Sequence, residues 1–161
     1  MISIEEQIGK FLIEKDMKIS TAESCTGGLL SSKLTDVPGS SAYITLNLVT
    51  YSNEAKIEML KVPEDVIERF GAVSEECAFD MAKGLHILTN SDICVSTTGI
   101  AGPGGGSIVK PVGLMYSTIY SNKRCQTFKI CLSPDIPRIE MKNKFTEEVL
   151  KNIYKFLNDN F

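Results

Sequence analysis

Histidine is nearly missing from this chain: His86 is the single one in 161 residues. A metal site built from several imidazoles is therefore excluded, and a Ser-His-Asp or Cys-His nucleophile would have to use His86. No two of the five cysteines, Cys25, Cys77, Cys94, Cys125 and Cys131, form a Cys-x-x-Cys pair. Neither a structural zinc site nor a disulfide framework is indicated, and reduced thiols are expected. A basic surplus is also lacking, with 17 Lys and Arg against 20 Asp and Glu and a net charge of -3. That balance argues against a nucleic-acid-coating protein. No apolar run approaches the ~18 residues of a membrane span. The opening Met1-Ile-Ser-Ile-Glu-Glu is acidic where a secretory leader would be basic. A soluble, cytoplasmic protein is the expectation, with one domain over residues 1–161. No carboxylate pair has a spacing that suggests glycosidase chemistry.

What is present is ordinary globular composition, 43% hydrophobic and 23% charged. Ile4, Ile8, Phe11 and Leu12 recur at helical spacing. A short strand over 19–22 runs into the small-residue turn 23–28 and a helix over 29–34. Residues 43–51 are β-branched and aromatic enough for a strand. Short helices follow over 53–60 and 63–70, with Gly71 closing the second. Ser74 is placed to cap a helix with acids in its first turn. An apolar strand over 92–98 leads into the glycine-dense stretch 99–106. A hairpin-like pair follows over 112–120 and 125–132, then a long amphipathic helix from about 138 to 157. The expected fold is a layered α/β/α domain with a mixed sheet, parallel in its first part and antiparallel at the hairpin.

Ligands of open α/β sheets bind beyond the carboxyl ends of strands. Three loops fall there, 23–28, 51–56 and 99–106, while the hydroxyl-rich loop 36–41 precedes a strand. The turn at 23–28 is expected to offer backbone amides to an anion at a helix N-terminus. The glycine stretch lacks the Gly-Lys-Ser/Thr ending of a phosphate-binding P-loop. Close approach to a nucleotide and an ordinary flexible loop both fit it. His86 falls inside a helix, away from these loops, so a hydroxyl nucleophile needs another base. Lys56 can serve, because the positive end of a helix dipole and partial burial both lower an amine's pKa. Tyr51 is placed to hydrogen-bond the same amine. Cys25 is a rival nucleophile to the hydroxyls Ser24, Thr26, Ser40, Ser41 and Thr98.

Six ordered blocks carry a resemblance: Thr21-Ala-Glu-Ser-Cys-Thr-Gly-Gly28, Thr35-Asp-Val-Pro-Gly-Ser-Ser41, Val49-Thr-Tyr-Ser-Asn-Glu-Ala-Lys56, Gly71-Ala-Val-Ser74, Thr98-Gly-Ile-Ala-Gly-Pro-Gly-Gly-Gly106 and Lys110-Pro-Val-Gly113. Over residues 3–157 the chain resembles the C-terminal domain of the CinA family, whose stand-alone members are nicotinamide-nucleotide amidases. The resemblance implies hydrolysis of the carboxamide of nicotinamide mononucleotide, giving nicotinic acid mononucleotide and ammonia, in pyridine-nucleotide salvage. It implies a serine amidase with a lysine partner, with no metal and no cofactor. Carried over by position, Ser41 is the nucleophile, Lys56 its base, and Tyr51 holds Lys56 and the substrate. Ser24, Thr26, Gly27, Thr98, Gly99, Gly102 and Arg138 would bind substrate. The family's Gly-Asp-Arg element is altered here to Asp135-Ile-Pro-Arg138, and a following arginine corresponds to Lys142. Longer members carry an N-terminal domain resembling molybdopterin-binding proteins, which none of the quoted blocks resembles and whose activity is not expected of residues 1–161. The resemblance further implies self-association, and no membrane or nucleic-acid partner. Two other readings go with it: a silent nucleotide-binding module linked to competence or DNA damage, and an amidase for another small amide.

Overall fold

The computed structural model describes all 161 residues. Ser3 starts α1 (Ile4–Glu14) through a reciprocal capping box, its hydroxyl accepting from the Glu6 amide while the Glu6 carboxylate accepts from the Ser3 amide. Then come β1 (Ile19–Glu23), α2 (Leu29–Thr35), a single 3-10 turn (Ser40–Ala42) and β2 (Ile44–Val49). Three helices follow, α3 (Asn53–Leu60), α4 (Glu64–Phe70) and α5 (Glu75–Thr89), the last capped by Ser74. The chain closes with β3 (Ile93–Gly99), β4 (Leu114–Tyr120), β5 (Cys125–Cys131) and α6 (Arg138–Asn160).

The five strands form one sheet in the order β2-β1-β3-β4-β5. β1 is parallel to both β2 and β3, whereas β4 and β5 are antiparallel additions. Helices α1, α2 and α6 cover one face over a core that includes Ile8, Leu30, Val95, Met115, Phe145 and Ile153. Helices α3, α4 and α5 cover the other over Ala22, Leu60, Val62, Met81, Leu85 and Cys94. β1, buried at all five positions, is the middle of the sandwich. The expected three-layer mixed α/β arrangement is the one observed.

Most element boundaries differ from the sequence reading by one or two residues, and three of the differences have a visible cause. β2 stops at Val49, because Thr50 and Tyr51 turn their carbonyls out of the ladder toward Lys56. β4 begins at Leu114, after Gly113 takes a left-handed backbone with φ +96°. α6 runs on to Asn160, and its polar end is held by Asn158 and Asn160 donating to the Tyr154 and Phe156 carbonyls. Elsewhere a missing side chain sets an interhelical distance: a Cβ on Gly84 of α5 would run into the Leu60 carbonyl at the end of α3.

The topology decides where chemistry can be assembled. The carboxyl ends of β1, β2 and β3 lie along one edge of the domain. The turn that carries Ser41 enters β2 from the opposite edge.

Candidate active site

Ser24 follows the last residue of β1, and its amide donates to Thr97 Oγ1 on the neighbouring β3 at 3.2 Å. Lys56 sits in the first turn of α3, which Ser52 caps by accepting from the Ala55 amide. The lysine side chain is directed inward and is 1% exposed. Its Nζ lies 3.1 Å from Ser24 Oγ, 3.0 Å from the Thr50 carbonyl and 3.0 Å from the Tyr51 carbonyl. Burial pushes the amine below the ordinary lysine range, and no carboxylate stands beside it to oppose this. A neutral amine has two N–H donors and one lone pair. In the structure, Nζ donates to both carbonyls and to Ser24 Oγ, and the Ser24 hydroxyl is directed to the Tyr51 carbonyl at 3.5 Å. Once the amine is neutral, the two carbonyls can take both N–H groups and free the lone pair for the Ser24 hydroxyl.

Ser24 and Lys56 open onto a cavity of about 260 Å³. All three strand-end loops contribute to its wall, which includes Cys25, Tyr51, Asn53, Thr98, Gly99, Gly102 and Arg138. No carboxylate lines it. Arg138, the first residue of α6, donates to the Gly102 carbonyl at 2.7 Å and to Tyr51 Oη at 3.1 Å. Thr98 is anchored by donating to the Ala72 carbonyl at 2.8 Å. The Cys25 thiol is pushed up to about 12 by burial, which removes it as a nucleophile near neutral pH.

Several of the expected site residues stand elsewhere or act differently. Ser41 is exposed, on the far side of β2 from Lys56. Six extended residues separate them by roughly 20 Å, so Lys56 cannot take its proton. Tyr51 does hold Lys56, but through its backbone carbonyl, while its hydroxyl meets Arg138. Thr26 is fully buried below the cavity, donating to Glu23 Oε1 at 2.5 Å and paired with Thr97 Oγ1 at 2.9 Å. Gly27 lies outside the cavity wall, beside Lys142 Nζ.

The α2 N-terminus is not a vacant anion site either. The buried Glu23 carboxylate accepts from the Gly28, Leu30 and Ser31 amides at 3.2, 2.9 and 2.9 Å, and from the Ser31 hydroxyl. The protein's own acid thus satisfies the orphan donors and the helix dipole. Glu23 was missed as a structural residue, although an acid just ahead of a glycine turn and a helix is itself a capping signal.

His86 lies on α5, its Nδ1 2.9 Å from the Ser91 carbonyl and its ring against Tyr120. It is not among the residues of the cavity wall. His86→Ala is expected to leave turnover within about twofold while costing ~1 kcal/mol of stability for the lost hydrogen bond. Steady-state kinetics and urea unfolding check this together; a hundredfold rate loss would bring histidine back into the chemistry.

The model of the CinA C-terminal domain matches residues 1–157. A CinA-like protein of Chlorobium limicola is 44% identical over 164 residues, which is 98% of this chain and 37% of that protein. The chain spans about a third of the length of the curated relatives it matches. Among solved structures, the competence/damage inducible protein CihA from Agrobacterium tumefaciens is 36% identical with a TM-score of 0.88, covering 98% of each chain. A CinA superfamily protein from Klebsiella pneumoniae is 26% identical with a TM-score of 0.91, covering 97% of this chain and 96% of that one. With the family model matched nearly end to end and the fold shared throughout, the chain belongs to the CinA C-terminal domain family.

Proposed function

We propose that this chain is a serine amidase that hydrolyses the carboxamide of nicotinamide mononucleotide to nicotinic acid mononucleotide and ammonia. The observation that carries the reading is the buried lysine amine 3.1 Å from a serine hydroxyl, with two carbonyls taking its other hydrogen-bonding capacity. In this mechanism neutral Lys56 accepts the Ser24 proton as Ser24 Oγ attacks the amide carbon. The turn's own hydrogen bonds use the Gly27, Gly28, Leu30 and Ser31 amides. The Cys25 amide, next after the nucleophile and at the cavity wall, is left to polarise the substrate carbonyl. Lys56 returns the proton to the departing ammonia, and water then repeats the sequence on the Ser24 ester, releasing the acid.

Charge and size support this substrate class. A cavity with Arg138 at its wall and no carboxylate favours an anion. About 260 Å³ is at the small end of ligand cavities, which run ~300–1,000 Å³. That size supports a mononucleotide over a dinucleotide. Arg138→Ala is expected to raise KM for the mononucleotide at least tenfold, about 1.4 kcal/mol, and to change the riboside's potency as a competitive inhibitor little. Equal losses on both would detach Arg138 from the phosphate.

The deciding assay is ammonia release with nicotinamide mononucleotide, nicotinamide riboside and NAD in parallel. Release from the mononucleotide alone supports the reading. Binding of the mononucleotide, seen as a thermal shift, without release from any of the three would replace the enzyme with a nucleotide-binding module. Release from a different small amide would keep the mechanism and change the substrate.

A further inference from the structure

The sheet ends on one side at β5, and no strand pairs with its outer edge. Backbone direction along β5 is fixed by its inner neighbour. Leu132 donates to Gly113 and Ser121 donates to the Arg124 carbonyl, so the even-numbered residues turn their amides and carbonyls toward β4. Cys125, Thr127, Lys129 and Cys131 therefore point theirs outward. These four also share one face of the sheet, the α5 face, since Ile130 and Phe128 pack into the core under α6. Thr127 on that face borders a groove of about 450 Å³ that includes Phe70, Phe79, Glu75, Glu76 and Asp80. Neither the three acids nor Lys129 is in any ion pair within the chain.

We propose that a second copy of this chain adds its β5 to this edge, antiparallel, with Phe128 opposite the partner's Phe128. This register pairs the whole of β5, and every outward-facing residue meets another one. Cys125 stands opposite the partner's Cys131, and Thr127 opposite the partner's Lys129. All four outward pairs are hydrogen-bonded pairs, which exchange two backbone bonds each. A shift of two residues either way leaves part of the strand unpaired and separates the cysteines. Directly opposed side chains project from the same face. The partner's Lys129 therefore rises beside Thr127 at the acidic groove, and the two-fold axis repeats the contact. The unpaired lysine and the unpaired acids become complementary, and two five-stranded sheets become one of ten strands.

The test uses the register. The other three cysteines are buried, so crosslinking reports on Cys125 and Cys131. Opposed residues of a hydrogen-bonded pair have Cα atoms about 5.5 Å apart, within reach of a short dimaleimide. Two Cys125 residues, or two Cys131 residues, would be roughly 20 Å apart across the axis and out of reach. Cys125→Ser and Cys131→Ser proteins are each expected to stay uncrosslinked alone and to give a covalent dimer when mixed. Sedimentation of the wild-type chain should show a dimer. Thr127→Pro, which deletes an outward amide and spares the β4 ladder, should weaken dimerisation at least tenfold, and Lys129→Glu should weaken it too. A monomer at all concentrations overturns the proposal. So does a dimer whose mixed cysteine variants fail to crosslink, or a single variant that crosslinks to itself. The mixing result stands even where Thr127→Pro does not fold.

Discussion

Ser24→Ala is expected to abolish ammonia release from nicotinamide mononucleotide, with a loss of about 10⁴-fold or more, and to leave the fold intact. Removing a nucleophile eliminates the covalent route rather than weakening a contact, and losses of that size or larger are typical. The hydroxyl is 3.1 Å from Lys56 Nζ and opens onto the cavity, whereas its backbone holds the turn through the Thr97 hydroxyl. The variant keeps that backbone bond, so circular dichroism and thermal unfolding should match the wild type closely. Ser41→Ala is the paired control and should retain full turnover, since its exposed position lies across β2 from the base. Mass spectrometry of enzyme quenched during turnover should find the acyl group on the peptide with Ser24. An acylated Ser41 peptide, or near wild-type turnover in Ser24→Ala, would reverse the assignment.

Lys56→Met should be equally inactive, and Lys56→Arg should be no better. The arginine test separates two roles, because a guanidinium keeps a positive charge but cannot surrender a proton. Rescue by arginine would make the lysine an electrostatic group rather than a base. In the wild type the rate should rise as pH climbs through the Lys56 pKa, at a pH below the ordinary lysine value of about 10.4 because burial disfavours the ammonium. Stability follows with a definite sign. Between the lowered folded pKa and the ordinary value, the unfolded chain binds a proton that the folded chain does not. Folding therefore gains stability as pH rises through that window, and below it the buried charge is a cost. Lys56→Met lacks this titration, so its melting temperature should rise less between neutral and alkaline pH. Identical slopes for the two proteins would show that Lys56 does not titrate there.

The layers of the fold were legible because helical spacing and strand-like runs alternate along the first part of the chain, and of the three consecutive strands at its end β4 and β5 are joined by a short turn at 121–124. Lys56 was legible for a physical reason, a lysine in the first turn of a helix that follows a strand. The serine beside Lys56 is Ser24 and not the Ser41 that the resemblance implies, yet the signal was present. Ser24 follows a strand and Ser41 precedes one, and parallel strands gather their carboxyl ends on one edge, where ligands bind, and their amino ends on the other. Following the block resemblance by position overrode that rule. Thr26 and Gly27 failed differently: a strand-to-helix turn does present amides, but nothing local said that Glu23 would fold back and occupy them. The double use of Tyr51, carbonyl to Lys56 and hydroxyl to Arg138, depends on where α6 begins and lies beyond any local pattern.

The gap at Gly84 sets a mechanical tolerance that has no counterpart inside the cavity. The helix that carries Lys56 rests with its far end against the backbone of another helix, and the clearance is a hydrogen atom where any other residue has a carbon. One added methyl there acts as a shim: its carbon would stand 1.9 Å from the Leu60 carbonyl oxygen, so α3 and α5 have to part to admit it. The seating of α3 is thus gauged at the end away from the cavity, by a residue that is no part of the cavity wall.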